Sequence, residues 1–226
     1  MTFSIVARCP KTGQFGASIS SSSPAVASRC IRAKTGIGVV ASQNITDPNL
    51  SQVLLEMMQY NLTPTDAGAE LVKSTEFIQY RQLMALNGQD EPFVFSGEHT
   101  LGIFNAVKGK EAACAGNLLA NQEIPKVMLD TFEKSEGNLG KRLLDSLVAG
   151  YQAGGEAGPV HSAGLLVVDK MTWPIIDLRI DWSETPIEDL EQAWQIYEPQ
   201  INDYVMRALN PTVSPSYGAV SYTHLR

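Results

Sequence analysis

Cysteine and histidine are scarce in this sequence. The three cysteines, Cys9, Cys30 and Cys114, are odd in number and far apart. They make neither a disulfide framework nor a zinc site. The three histidines, His99, His161 and His224, are not clustered with other ligand types. No protein-bound metal and no cofactor is therefore expected. No basic run stands out, and the net charge is -7. Nucleic acid and anionic membrane surfaces are thus excluded as expected partners. No apolar run is long enough to span a bilayer. A strand pattern begins at once, without a charged n-region and an apolar h-region, so no leader is expected. Unpaired cysteines fit the cytoplasm as compartment.

What is present is enough apolar material for a sizeable core, 44% of 226 residues. We expect one domain over residues 1–219. Residues 220–226 continue no periodic element and read as a disordered or non-native tail.

The first stretch, Met1-Thr2-Phe3-Ser4-Ile5-Val6-Ala7-Arg8, alternates apolar and polar residues as a half-buried strand does. Cys9-Pro10-Lys11-Thr12-Gly13 is a turn, and residues 14–20 alternate again, so the two form a hairpin. Its turn centre sets residue 2 opposite residue 20 or 21. A short strand is expected near residues 28–32, then a buried strand over 36–43. Helical spacing follows from about residue 48 to 60 and again from Thr63. Strands are expected over 80–86 and 92–95, with an irregular stretch from 97 to 109. A short strand over 111–115 ends at Gly116-Asn117. Helices are expected over 123–133 and 139–151, strands over 162–168 and 175–181, and one long helix over 186–209. The apolar stripe of that helix reads as core or as the surface of a homodimer. Strands, two helices, strands, two helices, strands and a helix suggest two packed sheets covered by helices on both outer faces.

Met1 precedes a small residue, where initiator methionine is usually removed. Removal would leave Thr2 with a hydroxyl and a free α-amine on one residue, a known route to an activated nucleophile. An ordinary first strand beginning with Thr would have the same sequence. The hairpin register brings Ser20 and Ser21 beside Thr2.

MTFSIVAR, GIGVVASQ running into a helix, AGNLL, SAGLLVV, IIDLRID and NDYVMRALNP…PSYG together resemble DUF1028, a family of unknown function regarded as Ntn-hydrolase-like. The resemblance runs from Thr2 to about Gly218. It implies a four-layer αββα sandwich of the α+β class. By likeness to proteasome subunits, it implies Thr2 as nucleophile. Their supporting Asp falls here on Ser20 or Ser21, and their Lys falls near Arg29–Arg32. Their oxyanion turn corresponds to Ser42-Gln43-Asn44. Their Gly-Ser at a later strand end resembles Gly116-Asn117, and their last active-site Ser resembles Ser162. The acid before that Ser has no clear match, and Glu156 is a poor candidate.

The function so implied is hydrolysis of a small linear amide or peptide-like substrate, with Thr2, Gln43 and Asn117 in the catalytic set. Ser20, Ser21 and Ser162 would orient the amine or substrate, and Arg179 would bind an anionic substrate group. Each has a plainer role as well. Gln43 and Asn117 stand at element ends where amides cap helices or close turns. Arg179 has Asp177 and Asp181 as neighbours to pair with. The same sandwich serving as a non-catalytic binding or assembly module is the alternative.

Overall fold

The structure, a computed structural model, describes residues 2–215. The expected tail over 220–226 lies outside the described residues.

Among the described residues, ten strands form two antiparallel sheets. The larger sheet contains β1 (Thr2–Cys9), β2 (Gln14–Ser21), β7 (Asn105–Lys108), β8 (Ala112–Asn117), β9 (Ser162–Val168) and β10 (Ile176–Ile180) in the order β10-β9-β2-β1-β8-β7. The smaller contains β3 (Ile31–Lys34), β4 (Gly38–Asn44), β5 (Arg81–Asn87) and β6 (Phe93–Ser96) in chain order. Helices α2 (Pro48–Gln59) and α3 (Pro64–Ser74) cover the smaller sheet; α4 (Ile124–Lys134), α5 (Leu139–Gln152) and α6 (Pro186–Tyr197) cover the larger. The result is the αββα sandwich of the α+β class.

Strand periodicity explains the layering. On β1, Phe3, Ile5 and Ala7 point to the helical side, where they meet Met128, Phe132, Leu143 and Leu147. Val6 points the other way, into a second core with Ala17, Ile19, Val39, Ala41, Met84, Ala113 and Ala115 between the sheets. A third core, including Val40, Leu54, Leu71, Leu83 and Ala85, lies under α2 and α3. Strand β1 is therefore buried on both faces rather than on one. Its polar residues point into the space between the sheets, not into water, because the second sheet covers that face.

Three elements differ from expectation. Residues 26–30 form a one-turn helix, α1 (Val26–Cys30), before β3 begins at Ile31. The helix lies so close to β9 that a Cβ on Gly164 would stand 2.4 Å from Ala27 Cβ. Within the stretch expected to be irregular, β7 adds an edge strand to β8. The long C-terminal helix is interrupted: α6 passes into a 3-10 turn over Glu198–Gln200 and then α7 (Ile201–Leu209). Pro199, which has no N–H for the helical ladder, stands in that interruption. Among the described residues, no helix is long and apolar enough to cross a membrane.

Candidate active site

The hairpin register pairs Phe3 with Ser20, which sets Thr2 opposite Ser21. On the other edge of β1, Thr2 pairs with Asn117 of β8; across β2, Ser21 pairs with Ser162 of β9. Directly opposed residues of antiparallel strands project to one face. Asn117, Thr2, Ser21 and Ser162 therefore form a row across four adjacent strands. All four are buried and face the gap between the sheets. Thr2 Oγ1 donates to Ser21 Oγ at 3.4 Å, and Ser21 Oγ in turn lies 2.9 Å from Ser23 Oγ. Ser23 Oγ accepts from Arg29 Nη2 at 2.7 Å.

The rest of the expected set divides. Ser162 Oγ donates to Ser23 O at 2.6 Å and accepts from Val26 N at 3.3 Å, so it fastens the entry to α1. Ser20 belongs to the opposite face of β2 and donates to Ser162 O at 3.0 Å. Arg179 lies on the edge strand β10, its guanidinium held by both carboxylate oxygens of Asp177 at 2.7 and 2.8 Å. Thus Asn117, Thr2, Ser21 and Ser162 are brought into one row, while Ser20 and Arg179 point elsewhere. His161 turns away from Ser162: its Nδ1 lies 3.2 Å from Ser183 O and its ring stacks on Trp182.

Gln43 enters from the facing sheet and belongs to a buried network. Its orientation follows from one group that cannot be reversed, the Gly116 carbonyl. Gln82 Nε2 donates to Gly116 O at 3.2 Å and to Ser96 Oγ at 2.9 Å. Gln82 Oε1 must then be the acceptor for both Gln43 Nε2, at 2.7 Å, and Asn117 Nδ2, at 3.2 Å. Gln43 Oε1 is consequently the acceptor for the Ser4 hydroxyl at 2.6 Å. The one group left over is Asn117 Oδ1, buried and without a hydrogen-bond partner among the described residues. A buried acceptor without a protein partner is uncommon. Gln43 thus contacts Ser4 and Gln82, while Asn117 presents an oxygen, not an N–H, on its remaining side.

A loop adds an acid. Glu156 is 4% exposed. It is placed by a bridge to Leu119, two residues beyond Asn117, with Ala157 N donating to Leu118 O at 2.9 Å. Its carboxylate accepts from Ser22 N at 3.0 and 3.2 Å. Burial pushes its pKa up to about 7; the positive charge of the amino terminus and the Ser22 hydrogen bonds pull the other way. In the sequence alone Glu156 is a poor candidate, and Ser4, Gln82 and Ser96 are not among the expected site residues. For Gln82 a signal was present: a polar residue inside the apolar strand Gln82-Leu83-Met84-Ala85-Leu86. For Glu156 there was none, because a loop acid reaches the site only through tertiary pairing. Among the described residues, no cluster of three His, Cys, Asp or Glu could hold a metal.

Chemically, the arrangement offers a hydroxyl between a serine and an unsatisfied amide oxygen, with a buried carboxylate alongside. Known proteins bear on it as follows. Protein SPO2555 from Silicibacter pomeroyi, a solved structure of the DUF1028 family, is 28% identical, with a TM-score of 0.82 over 90% of this chain and 89% of that one. Weaker likeness extends to the Anbu (Gly-1) mutant from Hyphomicrobium sp. strain MC1, with 13% identity, a TM-score of 0.45 and coverage of 91% and 99%. It extends also to Anbu (ancestral beta-subunit) from Yersinia bercovieri, with 10% identity, a TM-score of 0.41 and coverage of 90% and 97%. No curated protein matches the sequence. The family model for DUF1028, described as a family of unknown function, matches residues 2–190, and the chain belongs to that family.

Proposed function

We propose that this protein is an N-terminal-nucleophile amidohydrolase acting on a small linear amide or peptide-like compound through Thr2. The observation that carries the reading is the row Asn117–Thr2–Ser21–Ser162, which sets the Thr2 hydroxyl among buried polar groups at one end of the sandwich. In this reading Met1 is removed. The Thr2 α-amine, with an ordinary pKa of roughly 7.7–8.0, is then partly neutral near pH 7. It takes the hydroxyl proton as Oγ1 attacks the amide carbonyl. The tetrahedral intermediate collapses, the C–N bond breaks, and the proton passes to the departing amine. Water then cleaves the Thr2 ester, releasing the carboxylic acid and restoring the hydroxyl. Ser21 orients Oγ1. Backbone N–H groups at Ser42–Gln43 would stabilise the oxyanion; one such donor contributes about 3–4 kcal/mol in known cases.

A non-catalytic binding role has one observation in its favour: the hairpin position beside Thr2 holds Ser21 rather than a carboxylate. The two readings separate by mass. Native protein should lack Met1 and gain the mass of a β-lactone directed at N-terminal threonine. Thr2→Ala should gain nothing, and an amide panel should be hydrolysed only by the native protein. Retained Met1, or an adduct that persists in Thr2→Ala, would overturn the enzymatic reading.

A further inference from the structure

We infer that the outer edge of β10 is a docking surface for a second copy of this chain. The two β10 strands pair antiparallel about a two-fold axis through Leu178, and the larger sheets of both copies join into one. Strand β10 ends the larger sheet and pairs only with β9 among the described residues. Such an edge presents backbone donors and acceptors to any strand that fits it. The other sheet edges are less suited to self-pairing. Strands β6 and β7 pack against each other where the two sheets meet. Strand β3 carries Arg32 and Lys34, and pairing it with its own copy would set cation against cation.

Three observations make a second copy the occupant. First, the exposed face of β10 is self-complementary in charge. It carries Asp177 and Arg179, while Ile176, Leu178 and Ile180 turn to the helical side. With Leu178 on the axis, Asp177 of each copy stands opposite Arg179 of the other. Opposed residues of opposite charge attract. Within one copy Arg179 holds Asp177 through Nε and Nη2, at 2.7 and 2.8 Å. Its Nη1 makes no hydrogen bond among the described residues and is left to reach across. Second, Trp173 and Trp182 flank the strand, both exposed. The same axis sets Trp182 of one copy opposite Pro174 of the other, next to Trp173, so each exposed ring meets apolar surface. Third, α6 lies over β9 and β10 with α5 on its inner side. Glu191, Trp194, Gln195 and Glu198 face α5 across a cleft. The exposed Ile196 stands about 200° around the helix from Trp194, on the flank above the β10 edge. A two-fold axis at that edge brings this flank to its own copy, as an isologous interface requires.

The strand pairing spans only five residues, which alone falls short of the roughly 1,200 Å² that specific interfaces bury. The tryptophans and the helix flank widen it. The geometry also fixes where the two candidate sites stand. Ile180 pairs with Ala163, beside Ser162, so β10 runs toward the Thr2 end of its own copy. Antiparallel pairing therefore puts the two Thr2 rows at opposite ends of the joined sheet, and neither is covered by the other copy.

The test measures the mass of the full chain in solution by gel filtration with light scattering at micromolar concentration and low salt. The native protein should run at twice the mass of one chain. Arg179→Asp sets Asp against Asp at two places, and Asp177→Arg sets Arg against Arg. Each should raise the dissociation constant at least about tenfold. An equimolar mixture of the two variants should regain the dimer, because every opposed pair is then Asp against Arg. A role of these residues within one copy would not produce that rescue. Far-UV circular dichroism checks that each variant is folded. If either is not, hydrogen exchange on the native protein decides: the outward amides of Ile176–Ile180 should lose protection on dilution to the monomer. A native monomer, single variants that dimerise as the native protein does, a mixture of folded variants that stays monomeric, or edge amides indifferent to dilution would each overturn the inference. None of these readouts involves Thr2, so the result stands apart from the fate of the proposed function.

Discussion

The two ends of β1 carry polar side chains of opposite fate. At one end Arg8, 6% exposed, is fully engaged. Its Nε meets Glu111 at 2.6 Å, Nη1 meets Asn87 O and Asp90 O at 2.7 and 2.9 Å, and Nη2 meets Lys110 O at 2.9 Å. This guanidinium ties the β1 end to the β5–β6 turn of the facing sheet and to the β7–β8 turn. At the other end, Thr2, Asn117 and Glu156 are equally buried, yet an amide oxygen has no partner and a carboxylate sits far above its ordinary pKa. Burial with complete pairing marks a structural clasp, while burial with incomplete pairing is what a binding or reactive site would leave in the free protein.

Substitutions can break or sharpen this contrast. The largest loss of stability should follow Arg8→Met, which leaves Glu111 and three carbonyls without their donor. Urea unfolding should report about 3–5 kcal/mol. Gln82→Leu comes next, at about 2–4 kcal/mol, because two amide donors and the Gly116 carbonyl lose their partner at once. The two costs should add to within about 0.5 kcal/mol, since the sites are remote and share no partner. Strong coupling between them would refute the view of two independent ends.

Glu156→Gln should act through pH. The folded-state pKa of about 7 lies above the unfolded 4.5, so the folded protein holds the proton more tightly. The linked stability is greatest below that window and is lost as pH rises through it. Glu156→Gln should therefore gain on the native protein between pH 5 and 8, by about 1–2 kcal/mol. A difference that stays flat across that range would contradict the buried acid. The smallest effect on folding should come from Thr2→Val, under about 1 kcal/mol in the same assay, although it removes the hydroxyl proposed as nucleophile. A large loss there would make Thr2 a second structural clasp.

The strands, the hairpin register and most helices could be read from alternation and helical spacing, because each is a local period. Residue 2 does fall opposite residue 21, since a short turn leaves little freedom of register. What was not legible is what depends on packing between distant segments. The one-turn helix α1 exists where Gly164 makes room for Ala27, a contact 137 residues away that no local pattern announces. The second covering of β1 had the same origin. In the site, Thr2 and Ser21 followed from the hairpin, whereas Gln82 and Glu156 needed the facing sheet and a loop pairing to bring them in.

The fixed polarity of the inter-sheet network also decides which side chains could carry a negative charge there. An amide and its acid differ by one group. Yet Glu at position 82 would turn an oxygen toward Gly116 O, and Asp at position 117 would set one against Gln82 Oε1. Glu at position 43 would meet the same Gln82 oxygen. The three strand amides are thus closed to their acid counterparts by a single backbone carbonyl. At these three positions a carboxylate is disfavoured, and the one that does reach this end of the sandwich, Glu156, comes from a loop outside the strands.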